Sequence, residues 1–176
     1  MGAATISYGL AEWILKKDDD ENLNFYQVRT GMYGMEGGYT VYHQNFGLEK
    51  RLAPWFAIAL EFNNQQWSSS ESNGAGIGLN THYRWYLFGK KRLSPFIEMG
   101  AGAFRGFSKF PSDGSNFTFH LTGNLGLEYT RKNQDRLRFT YGHLHQSNND
   151  LLDANPGAIG NGFTISYAWF WKRSKW

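Results

Sequence analysis

The chain of 176 residues contains no cysteine. That excludes both a disulfide framework and thiolate metal sites. Long apolar runs are also missing. The longest, Trp55 to Leu60, has six residues, whereas a membrane-spanning helix needs about 20. Excess charge of one sign is absent too. The net charge is +3, and the basic pair Lys16-Lys17 is answered at once by Asp18-Asp19-Asp20-Glu21. The other basic residues are scattered and form no stripe, so the sequence predicts no nucleic-acid partner. No signal peptide is evident, and Met1-Gly2 reads as an expression start placed before a mature chain. That neither shows nor denies export.

What the chain does have is 18% aromatic residues and 21 glycines, with a mean hydropathy of −0.54. Disordered chains are poor in aromatics, so disorder is excluded. The length suits one domain with a real core. A polar average with so many aromatics is unusual for a soluble domain, but it is ordinary for a closed barrel whose two faces meet different solvents.

The dominant periodicity is two, the signature of strands. From 117 to 129 the odd positions read Phe117, Phe119, Leu121, Gly123, Leu125, Leu127, Tyr129. The even positions read Thr118, His120, Thr122, Asn124, Gly126, Glu128. Stretches 75–87 and 163–171 alternate in the same way. Eight strands are predicted, near 25–34, 38–48, 55–64, 75–88, 95–107, 116–131, 135–147 and 162–172. The first two alternate poorly. Helical spacing occurs at Ile6, Leu10, Trp13 and Ile14. It predicts a short amphipathic helix, or a ninth strand that would break the even count usual for single-chain bacterial barrels.

The predicted connections alternate between short basic ones, such as Lys90-Lys91-Arg92, and longer polar ones, such as 65–74 and 148–161. This fits an outer-membrane barrel with short periplasmic turns and long external loops. A soluble lipid-binding barrel would show the same periodicity with its faces reversed. Three features favour the membrane: charges of both signs on one face, aromatics near strand ends, and an aromatic-rich last strand followed by a final Trp176. The reading is an all-β, eight-stranded antiparallel transmembrane β-barrel in the bacterial outer membrane. Residues 23–176 form the barrel domain, and residues 1–22 an extension with a possible short helix.

Candidate chemistry concentrates on the seventh strand, whose outward parity is Leu137, Phe139, Tyr141, His143, His145, Ser147. A His and a Ser two apart on one strand face come within hydrogen-bond reach if the strand bends, and imidazole then activates the hydroxyl. The bland alternative is a polar strand end entering a loop. His143 and His145 also form a His-x-His pair that would suit zinc, but no third ligand is evident beyond loop aspartates, and no metal or cofactor is expected. His43, His82 and His120 read as barrel-wall residues, with His82 and His120 facing inward. Gly74, Gly76 and Gly78 alternate along a strand and relieve crowding inside the barrel. Arg105 and Lys109, near the predicted outer loops, suit either phosphate contacts or solvated loop charges.

The segment His145-Gln146-Ser147-Asn148, followed by Asn155-Pro156-Gly157, resembles the signature of the outer-membrane lipid A 3-O-deacylases. Pro95-Phe96-Ile97-Glu98-Met99-Gly100-Ala101-Gly102 is similar to a strand of that family. The resemblance covers roughly residues 25–172. It implies a serine esterase on the outer wall of an eight-stranded barrel, acting on lipid A of lipopolysaccharide within the bilayer. By the same resemblance Ser147 is the nucleophile, His145 the base and Asn148 an oxyanion donor. The family places a Glu shortly after the Asn-Pro-Gly stretch. Here 157–162 holds no carboxylate. Asn161 is the best match, with Asp150 or Asp153 as alternative acids. A non-enzymatic structural or adhesion barrel and a soluble lipid-binding barrel are the competing readings. Oligomeric state is not legible.

Overall fold

The computed structural model describes residues 23–70, 72–89, 91–148, 151 and 157–170. Eight strands form a closed barrel in which each pairs antiparallel with its sequence neighbours and β8 returns to β1. They are β1 (Leu23–Met35), β2 (Thr40–Ala53), β3 (Phe56–Ser68), β4 (Asn73–Tyr86), β5 (Leu93–Phe110), β6 (Ser115–Thr130), β7 (Arg136–Ser147) and β8 (Ala158–Phe170). The expected helix or ninth strand, the 1–22 extension and Trp176 lie outside the described residues.

The strands are longer than expected at the rim where β7 ends. Residues 65–68 and 73–74, expected in a long loop, are paired strand, as in Val41↔Trp67 and Trp67↔Gly74. The physical reason is that polar character there marks the lumen, not a loop. Gln65 faces inward, is 1% exposed, and donates to Gln146 Oε1 at 3.1 Å. β5 likewise runs on to Phe110, which leaves only four residues before β6. The poor alternation of β1 has a related cause. Its inward set mixes Gln27 and Arg29 with Phe25, Tyr33 and Met35, all buried.

The soluble-barrel alternative is overturned by the faces. The lumen holds Arg29, Arg51, Arg84, Arg136 and Arg138 against Glu49, Glu61, Glu98 and Glu128, all nearly fully buried. Phe46, Phe62, Ile97, Leu125, Phe139 and Ile165 point out and are exposed. Buried charges persist only when paired and hydrogen-bonded, and here each carboxylate has several partners. Glu98 accepts both forks of Arg29 at 2.7 Å each, Asn124 Nδ2 at 3.0 Å, and Arg84 Nε. Glu49 accepts from Arg136 at 3.0 Å, Arg138 at 2.6 Å, and Arg84. Glu61 accepts from Gln27 at 2.6 Å and Asn45 at 2.7 Å. Glu128 accepts from Arg138 and Tyr86, each at 2.7 Å.

Aromatic layers bracket this network. Phe25 lies under Arg136 and Tyr86 under Arg51, each cation 3.9 Å from the ring centroid. Tyr33, Tyr39, Trp67, Phe104, Phe110 and Leu144 form one buried cluster at the opposite rim. The barrel interior is a filled core. Glycine makes room for it. A Cβ on Gly76 would stand 2.4 Å from Phe104 Cζ, and one on Gly126 only 2.2 Å from Phe96 Cζ. The interior role expected for Gly76 is therefore what the packing shows.

Candidate active site

β7 delivers two polar side chains to the outer wall near its end. His145 and Ser147 are half-buried and separated by the inward Gln146. Gln146 is held in the lumen by His120 Nε2 at 2.5 Å and by Gln65. Those inward bonds fix the strand from behind while its alternate side chains face out. His145 Nε2 lies 3.2 Å from Ser147 Oγ. This is hydrogen-bond distance, in the geometry a nucleophile and its base require. On the β6 side the pair is flanked by Leu121 and Phe119, and across β8 His145 faces Ile159.

Asn148 follows immediately, 1% exposed, and its carbonyl accepts from Leu151 N at 3.1 Å. The chain re-enters the described structure at Gly157, whose φ of 66° is one that glycine adopts without steric cost. A Cβ there would be 3.9 Å from His145 Cε1. The imidazole edge that carries Cε1 therefore faces the start of β8.

Asn161, expected as the third member of the site, is not brought to His145. The β7–β8 register places it opposite His143, and its Oδ1 is 3.0 Å from His143 Nδ1. Among the described residues, His145 Nδ1 has no hydrogen-bond partner. Asp150 and Asp153 lie outside the described residues. Among the described residues, no group of three or more His, Asp or Glu is arranged to hold a metal ion. His43, His82 and His120 are all buried in the lumen.

Outward polar residues prove more numerous than the His–Ser pair alone. His143 and Asn161 form a second pair one step down the same wall, and both are exposed. Arg105 stands on the outward face of β5, paired on both sides with Ile77 and Phe117, and not in a loop. The parity of Ile97, Met99, Ala101, Ala103 and Arg105 carried that signal.

A family profile described as Lipid A 3-O-deacylase (PagL) matches residues 31–169, more than half of the chain. The crystal structure of the outer membrane enzyme PagL superposes with a TM-score of 0.67 at 14% identity, covering 80% of this chain and 97% of that one. At that identity the likeness speaks for the fold. The outer membrane protein OprG from Pseudomonas aeruginosa gives a TM-score of 0.40 at 12% identity, covering 82% of this chain and 95% of that one, and carries no argument. No curated protein matches the chain significantly. With its profile matched across seven of the eight strands and into β1, the chain belongs to the family of lipid A 3-O-deacylases, ester hydrolases built as outer-membrane barrels.

Proposed function

We propose that this chain removes the 3-O-linked acyl group of lipid A with Ser147 as nucleophile and His145 as general base. The observation that carries the reading is the 3.2 Å approach of His145 Nε2 to Ser147 Oγ on the outer wall, flanked by Phe119, Leu121 and Ile159. Ser147 Oγ attacks the ester carbonyl carbon and its proton passes to His145 Nε2. The tetrahedral intermediate collapses as His145 returns that proton to the departing sugar 3-oxygen. A water, deprotonated by His145, then attacks the acyl-serine carbonyl, and the fatty acid leaves as His145 returns that proton to Ser147 Oγ. The family resemblance supports Asn148, with nearby backbone amides, as donor to the oxyanion, where one donor is worth about 3 kcal/mol in other enzymes.

Position on the wall supports this assignment. β1 begins and β8 ends at one rim, and Ser147 stands near the other. With the strand termini on the periplasmic side, Ser147 meets the headgroup and upper acyl region of the outer leaflet, where lipid A resides. The acyl chain being removed need not leave the bilayer to be bound.

For His145 to accept a proton at Nε2, its Nδ1 must carry hydrogen and needs an acceptor. Asp150 and Asp153 fall in the connection that leads to Gly157, beside which the imidazole edge lies, and they are the proposed sources. Asn161, bonded to His143, is not part of this proposal. The deciding experiment is mass spectrometry of lipid A incubated with the wild type and with Ser147→Ala. Loss of one 3-hydroxyacyl group is expected from the wild type alone. Release by Ser147→Ala removes Ser147 as the nucleophile.

A further inference from the structure

We propose that Arg105 and the apolar groove beside it form a second subsite for the same substrate, with Arg105 binding a phosphate of the glycolipid headgroup while the groove takes one of its remaining acyl chains. This rests on the reading of Ser147 as the reacting residue.

The groove lies on the outer wall across β3 to β6 and is lined by Phe62, Ile77, Leu79, Ala103, Arg105 and Phe117. It exists because Ala103 is small between larger neighbours. Arg105 is out of place by every local rule. Where strands are paired on both sides, the outward positions of the described residues carry two charged side chains, Lys50 and Arg105. Lys50 sits at the opposite rim and is 1% exposed. Arg105 is exposed and, among the described residues, has no acidic partner. A guanidinium in such a setting calls for an anion from outside the chain. An anion at the mouth of an apolar groove, on a wall facing lipid, is the chemistry of a phosphorylated lipid.

Continuity with the candidate active site selects which lipid. Ser147 pairs with Phe119, and Phe119 with Ala103. Arg105 is thus two strands from Ser147, about 10 Å across the wall, and one inward-outward repeat further toward the rim. That offset lies within the span of a phosphorylated disaccharide whose ester is at Ser147. Phe119 and Phe117, packed edge to face at 5.3 Å, form the ridge over which such a headgroup would lie.

The test uses the full-length protein in detergent micelles, with lipid A and enzymatically dephosphorylated lipid A as substrates. Arg105→Gln is expected to lower hydrolysis of subsaturating lipid A about tenfold, the loss of one charge-assisted contact. Arg105→Lys should recover most of it. Dephosphorylated lipid A should be cleaved equally by the wild type and Arg105→Gln. Equal loss on both substrates, or loss on neither, overturns the subsite. Folding is checked by the gel-mobility shift between boiled and unboiled samples. Failure of the parent reading shows differently, as activity surviving in Ser147→Ala.

Discussion

Asn161 Oδ1 stands 3.0 Å from Nδ1 of His143 and leaves the corresponding nitrogen of His145 unpartnered among the described residues. The register fixes this, since His143 and Asn161 are direct cross-strand neighbours. If the acid comes from the loop, Asp150→Asn or Asp153→Asn should lower kcat by about 10²–10⁴-fold, the range expected for the loss of a group that holds the imidazole tautomer. Asn161→Ala should cost less than about tenfold. Steady-state release of fatty acid from lipid A measures all three. A large loss in Asn161→Ala alone would return Asn161 to direct contact with His145.

Glu98 ties together Arg29, Arg84 and Asn124. Glu98→Gln leaves two guanidinium groups short of charge in a sealed interior. Removing one partner from a buried ion pair costs about 3–5 kcal/mol. The midpoint of the thermal gel-mobility transition should fall well below that of the wild type, with lipid A hydrolysis retained at temperatures where the barrel is folded. An unchanged midpoint would mean that the network contributes little.

Gly126 faces the Phe96 ring inside the barrel, with no room for a methyl group. Gly126→Val should destabilise by about 1–3 kcal/mol through overpacking. Gly123→Ala, on the outward face next to the lumen-facing Asn124 and with nothing within 4 Å of its Cβ, should be close to neutral. Urea unfolding in the same detergent compares the two.

At the turn between β6 and β7, Asp135 accepts from Tyr167 Oη, from Asn133 Nδ2 at 2.6 Å and from Phe170 N at 3.3 Å. The Tyr167 hydroxyl, then Asn133 and Phe170, hold this carboxyl below its ordinary value of 3.8. The folded state therefore binds this proton less readily than the unfolded chain. The contribution is present at neutral pH, begins to fall near the unfolded value and is gone below the folded one. Wild type and Asp135→Asn should differ in stability at pH 7 and converge as the pH falls through and below the ordinary carboxyl value of 3.8. A difference that persists at low pH would show that the latch does not depend on the charge.

The fold was legible because period-two alternation survives wherever one face meets lipid. Phe117 to Tyr129 and Phe163 to Trp169 show it cleanly. It failed where the lumen itself turns aromatic. Tyr33, Trp67 and Phe110 face inward yet look like wall residues. Gln65 looks like a loop residue yet sits in a ladder. That His145 and Ser147 share one face was readable from parity, since both are local to one strand; their 3.2 Å approach was not. The fate of Asn161 was not. It depends on the stagger between β7 and β8, which no local pattern encodes.

The packed interior also sets the units in which this enzyme must be studied. With arginine–glutamate pairs and rings filling the bore, lipid A would reach the proposed nucleophile, Ser147, sideways through the leaflet and not through the barrel. Encounter is then two-dimensional, governed by the mole fraction of lipid A in the surrounding film and not by its molarity in the tube. Adding detergent at fixed lipid A should slow the reaction by surface dilution alone.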